Sequence, residues 1–398
     1  MSITTSTLRM HRWLRRGALL IAVSAAAGCA TAPLPPAVPP TLFEDSLFTP
    51  PPAPVSAEAV FAMSPAMQAY AERHLAPLLR QADPRRALIE VMYQRSGLQL
   101  SYDATRTRSA AEAFEAREGN CLSLVIMTGA FARWLELPVS FQAVLTDETY
   151  SRSGSLTVAS HHVNLVLNPP PIRPAVMRST EDSLTVDFLP ANELRGQRTR
   201  ALEQHTIVAM YFNNRAAESL ALGQVDQAYW LAREALRQDP GYVNAANTLG
   251  VIYLRAGHAA QAERALRHVI AQDRAAVNAL SNLLPLLQRQ GQVAEAAEVA
   301  ARLAQLQPVP PFQRLEEGRL AMAAGNYQQA SELFREELRL QPYQDEVHFW
   351  AAQAAWRLGR EAEAARHLAY ARDYSLNRGS QARYSAKLEQ LRSSPRLQ

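Results

Sequence analysis

Five glycines stand at one fixed interval, and that interval constrains the second half of the chain more than any other feature. Gly223, Gly257, Gly291, Gly325 and Gly359 are each 34 residues apart, and an alanine follows each of them at 228, 262, 296, 330 and 364. Pro240, Pro308 and Pro342 keep the same period, with Arg274 in the place of the missing proline. From about residue 205 onward no stretch alternates as a strand does, so the repeating unit is helical. Glycine permits the tight turn between two helices, and the small alanine lets the second helix lie close on the first. Such a pair buries its apolar face only against its neighbours, so the units stack into a solenoid.

Over roughly residues 205–378 this pattern resembles the tetratricopeptide repeat, in about five copies. The resemblance implies a superhelix whose concave face carries a ligand. The positions it assigns to that groove are Asn213, Asn244, Asn247, Arg255, Asn278, Ser281, Arg289, Arg319 and Arg357. Paired donors of this kind suit peptide backbone or carboxylate groups. The alternative is a solvated helix face that binds nothing.

At the other end, "LRMHRWLRRGALLIAVSAAAGCATAP" places four arginines before an apolar run too short to span a bilayer. That order marks a secretory signal over residues 1–28. Its Gly28-Cys29 ending resembles a bacterial lipobox, which implies lipidation of Cys29. With Ala30 behind the cysteine, the resemblance implies attachment to the outer membrane, facing the periplasm. An ordinary signal peptide cleaved nearby is the alternative. Processing removes four basic residues and no acid, leaving 37 basic against 37 acidic side chains. A neutral chain offers no electrostatic reason to bind nucleic acid. Residues 29–56, with nine prolines, read as an extended tether.

The segment 57–200 reads as helices followed by a small sheet, an α+β domain ahead of the all-α solenoid of 201–398. "FAMSPAMQAYAERHLAPLL", "DPRRALIEVMYQRSGL" and "TRSAAEAFEAREGN" predict three helices, the last closed by Gly119; "VSFQAVLT", "HHVNLVLN" and "SLTVDFL" predict strands. Between the two groups Cys121 opens an apolar helix. With Cys29 lipidated, Cys121 has no partner for a disulfide. A thiol at a helix N-terminus faces unpaired N–H groups that favour thiolate, although a small apolar residue also fits there.

"GNCLSL", "HHVNLV" and "VDFLP", in this order over residues 85–195, resemble the transglutaminase-like branch of the papain-type cysteine enzymes. The resemblance implies Cys121 as nucleophile, His162 as general base and Asp187 as the group that orients the imidazole. It also implies the Cys121 backbone N–H as one oxyanion donor, with the second unidentified. His161 competes with His162, since neighbours on a strand point to opposite faces; His162 immediately precedes the apolar run. Asn164 stands where better-known members carry Trp. No cofactor and no metal are called for.

Two functions follow. One is a membrane-tethered cysteine hydrolase or acyl transferase acting on amide or peptide bonds, whose repeats dock a protein substrate or an envelope partner. The other is a non-catalytic envelope scaffold that uses the repeat groove. Lys387 is the single lysine, so the chain is a poor amine donor to itself.

Overall fold

The computed structural model describes residues 38–52, 56–80, 82–93, 97–103, 106–153, 156–169, 183–188, 198–307, 312–375 and 378–393, the side chains of 145–153 and 156–161 excepted. The expected signal segment and Cys29 lie outside the described residues.

Among the described residues, four α-helices open the α+β part: α1 (Pro65–Tyr70), α2 (Pro84–Tyr93), α3 (Ala110–Ala116) and α4 (Cys121–Trp134). Ser64 caps α1 by accepting the Met67 N–H at 3.2 Å, and Pro65 suits the first helical position. The single helix expected to continue from there instead passes into one π-turn, Ala71–Leu75, and a 3-10 turn, Leu78–Arg80. A capping box starts α3: Ser109 accepts the Glu112 N–H while Glu112 accepts that of Ser109 at 2.8 Å. The expectation that Gly119 closes this helix is corrected, because Arg117 does so in a left-handed conformation, φ 52°. Gly119 belongs to a two-residue strand. Strands β1 (Ser101–Tyr102) and β2 (Glu118–Gly119) pair in parallel, setting Tyr102 opposite Gly119.

The main sheet is antiparallel, in the order β5 (Leu184–Val186), β4 (Leu156–Leu167), β3 (Val139–Ser153), β6 (Arg198–Leu202). On β4, Val163, Leu165 and Leu167 are buried in the core shared with α4, while His162 and Asn164 alternate with them. Strand β6 escapes the sequence pattern because "RTRAL" is mostly exposed and carries no apolar alternation. The domain boundary expected at 200/201 falls inside this strand.

Among the described residues from 204 to 392 every element is a helix: α5 (Gln204–Ala221), α6 (Val225–Gln238), α7 (Val243–Arg255), α8 (Ala259–Gln272), α9 (Val277–Arg289), α10 (Val293–Leu306), α11 (Gln313–Ala323), α12 (Tyr327–Leu340), α13 (Asp345–Arg357), α14 (Glu361–Tyr374) and α15 (Arg378–Arg392). The periodic glycines sit between paired helices with φ from +72° to +83°, a region that side chains avoid. Two further glycines, Gly250 and Gly318, have no such φ; a Cβ there would meet the Leu266 side chain at 2.9 Å and the Phe334 ring at 2.4 Å. Glu337 on α12, 1% exposed, accepts the N–H groups of Phe312 and Arg314 at 3.1 and 3.2 Å, capping α11 from the neighbouring helix.

One apolar core runs without a break from Leu42 through the α+β part to Val299 on α10. Smaller cores serve α11–α13 and α13–α15. Part of the expected tether belongs to the large core. Residues 40–49 form two short turns laid on the repeats: Phe48 stacks on Tyr229 with centroids 4.0 Å apart, and the Glu44 N–H donates to the hydroxyls of Tyr229 and Tyr253 at 3.0 and 3.1 Å. Tyr253 donates to the Leu42 carbonyl, Tyr229 to Asp45, and Trp230 to the Thr49 carbonyl. Arg264 pairs with Glu44 and Arg233 with Asp45. This segment is therefore a strap packed on α6–α8, because its own Leu42 and Phe48 have apolar surface to bury. Among the described residues no helix is long and apolar enough to cross a membrane.

Candidate functional site

The site begins with the mouth of α4. Asn120, in extended conformation, accepts the Ser123 N–H at 2.9 Å and so caps the helix that Cys121 opens. A Cβ on Gly119 would lie 2.6 Å from the Ser123 Cβ, so only glycine lets the incoming chain hug the first turn. Cys121 is a free, partly exposed thiol. The β1–β2 pair, held by the Asp103 N–H on the Gly119 carbonyl at 3.1 Å, carries Tyr102 alongside it. Burial, with the charge of the neighbouring Cys121, raises the Tyr102 phenol well above the usual tyrosine range, and the hydroxyl lies near both the thiol and the backbone N–H of Cys121.

Strand β4 delivers the imidazole and the end of β5 the carboxylate. His162 Nε2 and Asp187 Oδ1 are 2.6 Å apart, with the two side chains 8% and 5% exposed. The other ring nitrogen, Nδ1, is left for Cys121, which lies close enough to act on this imidazole. Burial pulls the imidazole down, but the hydrogen bonds and charges of Asp187 and Cys121 outweigh it and push His162 up to about 9. Asn164, two residues along the strand, donates from Nδ2 to Asp187 Oδ2 at 2.8 Å, and its Oδ1 is buried without a partner. The three sequence-predicted residues thus meet in the order Cys121, His162, Asp187. Side-chain placement of His161 lies outside the described residues.

A chain of hydrogen bonds ties this mouth to the first repeat helix. Asn120 donates to Thr107 Oγ1 at 2.8 Å; the Thr107 N–H donates to Glu218 at 2.6 Å and its carbonyl accepts from Arg215 at 3.1 Å. Asn214 reaches the same Oγ1 at 3.3 Å.

The nine predicted groove residues lie on the first helices of their pairs: Asn213 on α5, Asn244, Asn247 and Arg255 on α7, Asn278, Ser281 and Arg289 on α9, Arg319 on α11 and Arg357 on α13. Helices α5, α7 and α9 pack on one another as well as on their partners. Arg255, Ser281 and Arg289 are exposed. Arg319 is already engaged with Glu316 at 3.3 Å and over the Trp350 ring, and Arg357 lies over the Tyr327 ring, so these two are less open to a ligand than the sequence implies. Asn247 accepts from Asn282 at 3.1 Å, a neighbour that the repeat register did not single out.

Sequence reasoning missed Tyr102 at the helix mouth. Its strand has two residues, too short for any alternation, and only the pairing with Gly119 brings it to the cysteine.

Comparison with known proteins bears on the repeats. The tetratricopeptide repeat family model matches residues 219–284, and with the helical pairs above it establishes tetratricopeptide repeats in the second half of the chain. Solved structures similar to this chain include Pseudomonas aeruginosa pilF, at 20% identity over 49% of this chain and 96% of that one, with a TM-score of 0.27. TTC0263, a thermophilic TPR protein of Thermus thermophilus, is 21% identical over 46% of this chain and 99% of its own, TM-score 0.28. YrrB, titled a TPR protein with an unusual peptide-binding site, is 16% identical over 45% and 92%, TM-score 0.25. No curated protein matches the chain.

Proposed function

We propose that this protein is a cysteine hydrolase or acyl transferase of transglutaminase-like type that acts on amide or peptide bonds, with its repeats docking a protein substrate or partner. One observation carries the reading: His162 sits between the Cys121 thiol and Asp187, at 2.6 Å from the carboxylate. In the mechanism, His162 holds the thiol proton from the start, as its raised affinity for a proton dictates, and the sulfur attacks the carbonyl carbon as thiolate. The tetrahedral oxyanion is met by the Cys121 N–H, and Tyr102 supplies the second donor from the hydroxyl resting beside that N–H. His162 then protonates the leaving amine, and Asp187 stabilises the imidazolium throughout. Water or an amine releases the acyl group from sulfur.

A thiol-directed peptide probe tests this. Labelling of the parent, lost in Cys121→Ala and reduced at least tenfold in His162→Ala, is the expected result; parent labelling no faster than that of a free thiol overturns it. Tyr102→Phe should lower turnover about 10²–10³-fold if the phenol is an oxyanion donor.

The scaffold reading is favoured by a separate observation, the family match in the repeats. Both readings place a protein partner on the first-helix face, where Arg255 and Arg289 are exposed. Exchanging both for Glu should weaken partner capture while thiol reactivity at Cys121 persists; unchanged capture would make the repeats a spacer. Both also rest on lipid attachment at Cys29 in the cell envelope, for which the Gly28-Cys29 ending is the support. Loss of radiolabelled lipid incorporation in Cys29→Ala is the corresponding result.

A further inference from the structure

We propose that Asn164 is a positioning residue of this site, one that fixes the Asp187 carboxylate so that a single oxygen faces the His162 imidazole. The inference rests on the enzyme reading above for its purpose, though not for its geometry. A carboxylate only accepts hydrogen bonds, so the amide nitrogen of Asn164 must be the atom facing Asp187 Oδ2, and the 2.8 Å contact fixes the orientation of the amide. The two carboxylate oxygens then have separate donors, His162 Nε2 on Oδ1 and Asn164 Nδ2 on Oδ2. Rotation of the carboxylate about its own axis would break both contacts together.

His162 and Asn164 are two positions apart on one strand and so share a side of it. The backbone of β4, held in register by Val144 opposite His162 and Gln142 opposite Asn164, sets the spacing of the two donors. Asn164 is 4% exposed and its Oδ1 has no partner. An asparagine kept only for packing would be disfavoured at such a place, because half of its polar end is desolvated for nothing. What it supplies is the donor to Asp187. Among the described residues, the titratable groups that act on His162 are Asp187 from the end of β5 and Cys121 from α4, with Tyr102 next to the cysteine.

The test follows the His162 imidazole itself in the whole chain, by nuclear magnetic resonance of labelled histidine across pH, with His162→Gln identifying the signal. The parent should titrate near 9. Asn164→Leu, similar in shape without the donor, should lower that midpoint by about one pH unit or more toward the ordinary histidine value and slow Cys121 alkylation at pH 7 about tenfold. Asn164→Asp is the second variant. Two carboxyl groups in contact share one proton in acid, which preserves a donor to Asp187, and repel once both ionise. Its alkylation profile should therefore gain a falling limb between the acid range and neutrality. A parental midpoint in Asn164→Leu, or an Asn164→Asp profile superimposable on the parent's, overturns the inference. The enzyme reading fails on a different result, a parent Cys121 that alkylates no faster than a free thiol, and the imidazole titration decides the role of Asn164 in either case.

Discussion

A buried imidazole flanked by a thiol and a carboxylate keeps its proton to higher pH than one in water, and His162 is held this way up to about 9. Its unfolded-state value is near 6.5, so the native state binds this proton more tightly, and the gain, on the order of 3 kcal/mol, is complete below pH 6.5 and lost as pH climbs through 9. Thermal stability should decline over that window, and His162→Gln should flatten the decline. At the same site, Cys121 should alkylate with iodoacetamide much faster than a model thiol at pH 6; His162→Ala should slow the reaction and His161→Ala leave it nearly unchanged. Equal, slow labelling of all three proteins would mark a structural cysteine. Cys121, His162 and Asp187 were legible because each opens or ends a patterned element. The contact from Asn164 to Asp187 spans 23 residues of chain, and no local pattern encodes a partner that far away. Asn164 stood out in the sequence only as a departure from the family's Trp.

At the scale of elements, the 34-residue period was readable because two kinds of residue at fixed offsets carry it, turn glycines and packing alanines. Other events had no such signature. The π-turn at Ala71–Leu75 interrupts a continuous apolar pattern, and Arg117 adopts a conformation that sequence assigns to glycine. Gly318 makes a sharp prediction: Gly318→Ala puts a methyl against a fully buried Phe334 ring and should cost about 1–3 kcal/mol. Glu337→Ala should cost about 1–3 kcal/mol by leaving the buried N–H groups at the start of α11 unpaired. Denaturant melts of the two variants check both, and values within error of the parent would show that α11 adjusts freely.

For the whole molecule, the continuous core from Leu42 to Val299 joins part of the segment that reads as a tether to the α+β part and the first repeats. The sequence could not show this, since the proline content of residues 29–56 masks the apolar pair Leu42 and Phe48. Phe48→Ala removes a ring 5% exposed and stacked on Tyr229, and should cost about 3–5 kcal/mol. A fragment of 201–398 should remain helical by circular dichroism yet melt below the intact chain, because the Tyr229 and Tyr253 surface is then uncovered; equal melting would mean that the strap adds nothing. The network at Thr107 has another consequence, for how this protein could be recombined. Because Asn120 at the cysteine helix and Arg215, Asn214 and Glu218 on α5 all converge on one threonine, a transplanted repeat array must be joined after α5. A graft at the apparent repeat start would exchange the repeat face and unseat Cys121 in the same cut.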